Sequence, residues 1–227
     1  MTKKKVLIMS ASIGSGHTQA AHAIEEYLKT LPAECEVEHF DFISNDALSI
    51  DNIVKETYLK ILDLFPMLYD LMYYSSQGYK KGMVVKTLFS WGLKRRMLHV
   101  LAEKKPDMLV FTHPFPAGAA ALLKRQHRLQ IPLVGVITDF TIHQLWVYPQ
   151  IDQYFVAASQ IKDQLVAQQV EPHKVIVSGI PVRDAFRQQR WHWDEDHAKR
   201  RNVLIMGGGL GMGSIRQSLS VLDQLDN

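Results

Sequence analysis

The stretch Val6-Leu7-Ile8-Met9-Ser10-Ala11-Ser12-Ile13-Gly14-Ser15-Gly16-His17-Thr18 constrains the fold more than any other. Val6 to Met9 is a continuous apolar run, the pattern of a strand buried on both faces, and Ala20 to Leu28 carries helical periodicity. Between them lies a turn. Gly14 and Gly16 permit positive φ and close backbone approach, so the strand can reverse into a helix whose free N–H groups face whatever docks there. Ser15 belongs to the same turn, and His17 stands at or just before the helix start. Histidine there suits general-base work, since its neutral form is well populated near pH 7 and still takes a proton. The same pattern also fits an ordinary α/β turn ending in a solvated, capping histidine. It does not fit a dinucleotide site: Gly-x-Gly-x-x-Gly would need glycine at position 19, where the chain has Gln19.

The remainder repeats the strand-helix rhythm. Cys35 to Phe42 alternates as a second strand, and Met108 to Thr112 reads as a buried strand. His113 to Gly118 reads as a loop stiffened by Pro114 and Pro116, and Ala119 to Arg128 as a short helix. Strands follow at Pro132–Ile137, Tyr154–Ala157 and Lys174–Val177, the last two separated by a helix from Gln160 to Gln168. This alternation predicts an α/β fold, a Rossmann-like doubly wound parallel sheet. Gly179 to Asp184 is its exit. Residues 1–186 then form one domain, 187–201 a charged linker, and 202–227 the start of another: an apolar strand Asn202–Met206, a glycine run Gly207–Gly213 and a helix Ser214–Leu225.

Composition narrows the function classes. With 227 residues, 47% hydrophobic and 22% charged, the chain can bury a substantial core. The single Cys35 excludes an internal disulfide and a multi-cysteine zinc site, which fits a reducing cytoplasm. Lys3-Lys4-Lys5 precedes too short an apolar run for a signal peptide, and no run reaches the ~18 apolar residues of a membrane span. The net charge of +3 does not imply nucleic acid, and no helix-turn-helix or RNA-binding signature supports it.

Charge and aromatic residues concentrate in a helical insert at about 50–105, read as helices Ile53–Tyr74 and Val84–Leu101. Between Lys80 and Lys105, the basic residues Lys80, Lys81, Lys86, Lys94, Arg95, Arg96, Lys104 and Lys105 stand against one acid, Glu103. The apolar and aromatic residues from Tyr58 to Tyr74 exceed what one helix face can hold. Two readings remain open: the insert packs around most of its circumference against the sheet, or its apolar side enters a bilayer while the first six of those basic residues attract anionic head groups.

Candidate site residues gather at the C-terminal edge of the predicted sheet, where open parallel sheets place ligands. Asp139 follows an apolar strand and suits orienting His17, binding a substrate hydroxyl, or capping a turn. His113 suits an acceptor pocket or a structural role, and His143 and Trp146 lie in a loop near that edge, Trp146 as core or as pocket wall. The run Gly207 to Gly213 offers backbone amides to a phosphate at a helix N-terminus. It lacks the Gly-Lys-Ser/Thr of a P-loop. No histidine-carboxylate cluster shows metal spacing; His17 and His22 are five apart and point to different helix faces.

Taken in order, Ala11 to His17, Thr112-His113-Pro114, Val136 to Phe140 through Trp146, Asp152 to Ala157, Gly179 to Arg183 and Met206 to Gly213 resemble the monogalactosyldiacylglycerol synthases and the related bacterial diacylglycerol glucosyltransferases. The resemblance implies a GT-B glycosyltransferase with two Rossmann-like domains, performing an inverting hexose transfer from UDP-galactose or UDP-glucose to diacylglycerol. The UDP-sugar is a substrate, and neither cofactor nor catalytic metal is implied. It makes His17 the base; with the edge residues read above, Asp139 joins it as the catalytic pair, and Gly14, Ser15, Gly16, His113, Pro114, His143 and Trp146 are the candidates for the acceptor. Gly209, Gly211, Met212 and Gly213 go to the donor phosphates. The protein is then cytoplasmic and peripheral on the inner face of the cell membrane. Family members continue beyond Asn227, so the expectation is an acceptor domain inactive alone. The undecaprenyl-linked peptidoglycan precursor N-acetylglucosaminyltransferases share the glycine-histidine loop and are the same-fold alternative; a non-catalytic membrane-binding remnant is the alternative of another class.

Overall fold

A computed structural model describes residues 3–12, 15–31, 35–43, 93–142, 144–188, 203–206 and 215–224. Six strands, β1 (Lys4–Ser10), β2 (Cys35–Asp41), β3 (Met108–Phe111), β4 (Leu133–Val136), β5 (Gln153–Val156) and β6 (Val175–Val177), form one parallel sheet in the order β2-β1-β3-β4-β5-β6. The helices are α1 (Ser15–Thr30), α2 over 93–104, α3 (Pro114–Arg125), α4 (Ser159–Ala167), α5 (Asp184–Gln188) and α6 (Ile215–Leu222).

Strand alternation divides the apolar side chains between two faces. Leu7, Met9, Leu109, Phe111, Leu133, Tyr154 and Val156 join the larger core with α2, α3 and α4 through Met97, Val100, Ala117, Leu123, Ile161 and Leu165. Ile8, Val110 and Val136 face the other way, where Ala21 and Ile24 of α1 cover them. Helices on both faces make the sheet doubly wound, as the strand-helix rhythm predicts. Alanines at 20, 21 and 23 are the buried residues of α1, so that helix lies close on the sheet. Gly135 serves the opposite face: a Cβ there would meet the Tyr154 ring at 2.9 Å, so only glycine lets that ring lie against β4.

Chain direction sets the site. From β1 the chain goes to β2 on one side, then returns to β3 on the other. The resulting crevice outside the carboxyl ends of β1 and β3 is the topological switch point, the usual ligand position in open α/β sheets.

Several expected boundaries shift for identifiable reasons. Residues 114–118 are helix rather than loop: α3 begins at Pro114, whose ring suits the first helical position, and His113 is its N-cap. β4 starts at Leu133 because Pro132 has no N–H to give the ladder. Residues 203–206 are not a strand. They find no ladder partner among the described residues, and Leu204 is 83% exposed. Helix Ile53–Tyr74, the first half of Val84–Leu101, most of the 187–201 linker and the Gly207–Gly213 run lie outside the described residues.

Candidate active site

His17 is the third residue of α1, inside the first turn rather than before it. Gly16 precedes it within the helix, and a Cβ there would meet nothing within 4 Å, so its value is open space above the helix start rather than a special backbone angle. Ser15 is exposed beside it, and Gly14 lies outside the described residues.

The His17 ring spans the crevice. Its Nδ1 lies 2.7 Å from the Thr112 carbonyl oxygen at the end of β3. It also lies 2.9 Å from Thr138 Oγ1, just beyond β4. A carbonyl oxygen only accepts, so Nδ1 carries the ring proton and Nε2 carries the lone pair. The backbone of a neighbouring strand thereby selects the tautomer of a base.

Asp139 Oδ1 lies 3.9 Å from His17 Nε2. That is too long for a direct hydrogen bond, so Nε2 is not consumed by the carboxylate. The negative charge acts through space when the ring takes a proton. The other oxygen, Oδ2, accepts a 2.6 Å hydrogen bond from Trp146 Nε1. Trp146 is wholly buried, so it holds Asp139 in place from behind and does not wall a pocket. A further link fixes the tryptophan: the Tyr154 hydroxyl donates to the Trp146 carbonyl at 2.7 Å and accepts from the Tyr148 N–H at 3.1 Å. Burial pushes the Tyr154 hydroxyl pKa well above its ordinary value, which keeps that donor protonated.

His113 is only 4% exposed. Its Nδ1 accepts the Phe115 N–H at 3.2 Å, capping α3. Its ring meets that of His17 edge to face, centroids 4.6 Å apart. His113 therefore packs under His17 rather than opening an acceptor surface, and Pro114 beside it is buried. His143, Lys80, Lys81, Lys86, Gly209, Gly211, Met212 and Gly213 lie outside the described residues. Of the remaining basic residues, Lys94 and Arg95 lie on α2, Arg95 exposed, while the Arg96 guanidinium sits over the Phe42 ring, 5.6 Å from its centroid. Arg96 thus packs against the fold.

Sequence patterns match this geometry. A family model described as monogalactosyldiacylglycerol (MGDG) synthase matches residues 17–182. The chain belongs to that family. The match begins at His17 and contains Thr112, His113, Thr138, Asp139 and Trp146, so both ends of the bridged crevice lie within it. A processive diacylglycerol beta-glucosyltransferase of Bacillus cereus strain AH187 is 34% identical over 220 residues, 94% of this chain and 55% of its own length. Its counterpart in strain B4264 is 32% identical over 182 residues, 80% of this chain and 46% of its own length. The chain thus spans about half the length of these curated relatives. Among solved structures, an apo lipopolysaccharide outer core galactosyltransferase aligns with a TM-score of 0.45 at 14% identity, covering 76% of this chain and 44% of that one.

Three contributors are absent from the candidate residues read from the sequence: the Thr112 carbonyl, which is backbone, and the Thr138 and Tyr154 hydroxyls. The motif Thr112-His113-Pro114 marks the right place but draws the eye to the histidine. Phe140, the residue after Asp139, is 80% exposed and presents an aromatic ring at the rim of the site.

Proposed function

We propose that this chain is the acceptor half of a GT-B diacylglycerol glycosyltransferase and that His17 is its general base. The observation that carries the proposal is the Thr112 carbonyl on His17 Nδ1, which leaves the Nε2 lone pair at the crevice. The hydroxyl of diacylglycerol gives its proton to Nε2 as its oxygen bonds to the anomeric carbon of a UDP-sugar. The bond from that carbon to the UDP oxygen breaks on the opposite face, so configuration inverts and UDP leaves with the electron pair. Asp139 stabilises the imidazolium formed in that step, and Trp146 and Tyr154 position Asp139.

A lipid acceptor agrees with Phe140 at the rim and with Lys80, Lys81, Lys86, Lys94 and Arg95, which suit an anionic membrane surface, while Arg96 is engaged by Phe42 instead. The protein then works as a peripheral enzyme on the cytoplasmic face of the cell membrane, with UDP-galactose or UDP-glucose as donor. Gly209, Gly211, Met212 and Gly213 are assigned to the donor phosphates, residues 1–186 to the acceptor domain, and 202–227 to the first unit of the donor domain. Alone, the 227 residues transfer no sugar. Among the described residues no helix is long and apolar enough to cross a membrane.

The test is hexose transfer to vesicle-borne diacylglycerol by this chain joined to the donor half of a Bacillus relative. His17→Ala lowers turnover by ~10²–10⁴-fold, the range for loss of a general base, with UDP affinity retained. Undiminished turnover in that variant refutes the base assignment. Transfer by the 227-residue chain alone refutes the division of labour.

A further inference from the structure

A second histidine cluster lies on the side of α1 that faces β2, away from the crevice. His22 and Glu25 stand three residues apart on one face of the helix, and His39 comes from the edge strand β2. One ligand-capable atom from each lies within 4.8 Å of the others. Periodicity within α1 cannot reveal this set, because its third member comes from another element.

We propose that His22, Glu25 and His39 form a binding site for a divalent transition cation of the zinc class, with a fourth position left to water. Two imidazoles and one carboxylate match the donor preference of such ions and the three-ligand pattern of open zinc sites. Ligands of a tetrahedral ion with bonds of about 2.1 Å sit about 3.4 Å from one another. His22 Nδ1 and Glu25 Oε2 are already 3.6 Å apart. The rings of His22 and His39 meet with centroids 4.5 Å apart, so a modest side-chain adjustment closes the set.

Outer partners orient two of the three ligands. Ser10 Oγ lies 2.8 Å from His39 Nε2, engaging that nitrogen and leaving Nδ1 for an ion. Lys29 Nζ donates to Glu25 Oε1 at 2.8 Å, leaving Oε2 toward His22. Hydrogen bonding of the atoms that face away from the ion is the usual arrangement around metal ligands. Glu25 and His39 are both held this way. A bound cation pins α1 to the sheet edge and so fixes the helix that carries His17.

The experiment uses the tag-free 227-residue chain, stripped with chelator and titrated with cobalt(II), then zinc. Equimolar binding with the visible absorption of four-coordinate cobalt, its loss on adding zinc, and a zinc-dependent rise in melting temperature are expected. His22→Ala and Glu25→Gln, both on the partly exposed side of α1, lose the cobalt band while keeping the wild-type circular dichroism. Ser10→Ala weakens binding by ~10–100-fold. His173→Ala, at an exposed histidine elsewhere, binds as the parent does. The site is refuted by the absence of equimolar binding, or by cobalt spectra unchanged in folded His22→Ala or Glu25→Gln.

Discussion

Among the described residues two pairs of histidines meet edge to face, His17 with His113 at 4.6 Å and His22 with His39 at 4.5 Å, and α1 contributes one ring to each. Ring geometry is nearly the same, yet the surroundings assign different chemistry. In the first pair, backbone groups engage one nitrogen of each ring: the Thr112 carbonyl accepts a hydrogen bond from His17 Nδ1–H, and His113 Nδ1 accepts one from the Phe115 N–H. The carboxylate nearby, Asp139, stops short of hydrogen-bonding distance. One basic nitrogen is left for a proton. In the second pair, Ser10 engages one His39 nitrogen, while Glu25 stands close enough to His22 to share an ion. What a histidine does is decided by the partner of its other nitrogen and by the distance to the nearest carboxylate.

The sharpest break of this comparison is His17→Ala against His22→Ala. The first removes the proton acceptor and costs transfer ~10²–10⁴-fold; the second removes cobalt binding. Exchange of those two phenotypes would overturn both assignments at once.

Trp146→Phe comes next. It keeps the buried ring but removes the N–H bonded to Asp139, a hydrogen bond to a charged group worth about 1.5–3 kcal/mol. Transfer should fall about 10–100-fold, with kcat reduced more than KM for diacylglycerol changes. An unchanged kcat would remove Asp139 positioning from the first pair.

Thr138→Val has a smaller effect, since the Thr112 carbonyl still holds the ring proton. A loss of about 0.5–1.5 kcal/mol predicts a fall in transfer of up to about tenfold. A loss as large as that of His17→Ala would make Thr138, and not Thr112, the residue that sets the tautomer.

The smallest effect concerns the edge strand beside the second pair. Burial alone would raise the Glu38 carboxyl pKa, but hydrogen bonds from Lys104 and Lys5, with Nζ at 2.6 and 2.9 Å, hold it below its ordinary value. A depressed carboxylate pKa stabilises the fold above its unfolded value of about 4.5 and loses that contribution as pH falls through the folded value. Glu38→Gln should therefore cost under about 1 kcal/mol near neutrality, because the cluster is partly exposed. The difference from wild type should vanish in acid. Thermal melts across that range check the sign; a difference that grows on acidification would be wrong for this cause.

The second glycine-rich unit shows the limit of pattern reading. Val6 to Met9 and Val203 to Met206 are both apolar runs before a glycine turn. Only the first is a strand, because β2 and β3 flank it and supply ladder partners on both sides. Likewise Pro114 and Pro116 look like loop residues until the helix they start is seen, since a proline signals either a break or a first turn and the choice depends on what caps it.

The amino-acid sequence by itself determined the alternation of strands and helices, the parallel α/β class, the gathering of His17 and Asp139 at one edge of the sheet, and the family resemblance. These are local properties: apolar periodicity, glycine turns and the order of short motifs. The tertiary structure decided which atoms meet. It placed the Thr112 carbonyl on His17, decided for Trp146 between core and pocket wall by burying it behind Asp139, and brought His39 to His22 and Glu25. Contacts between elements depend on strand order and helix placement, and a backbone carbonyl has no letter of its own in the sequence.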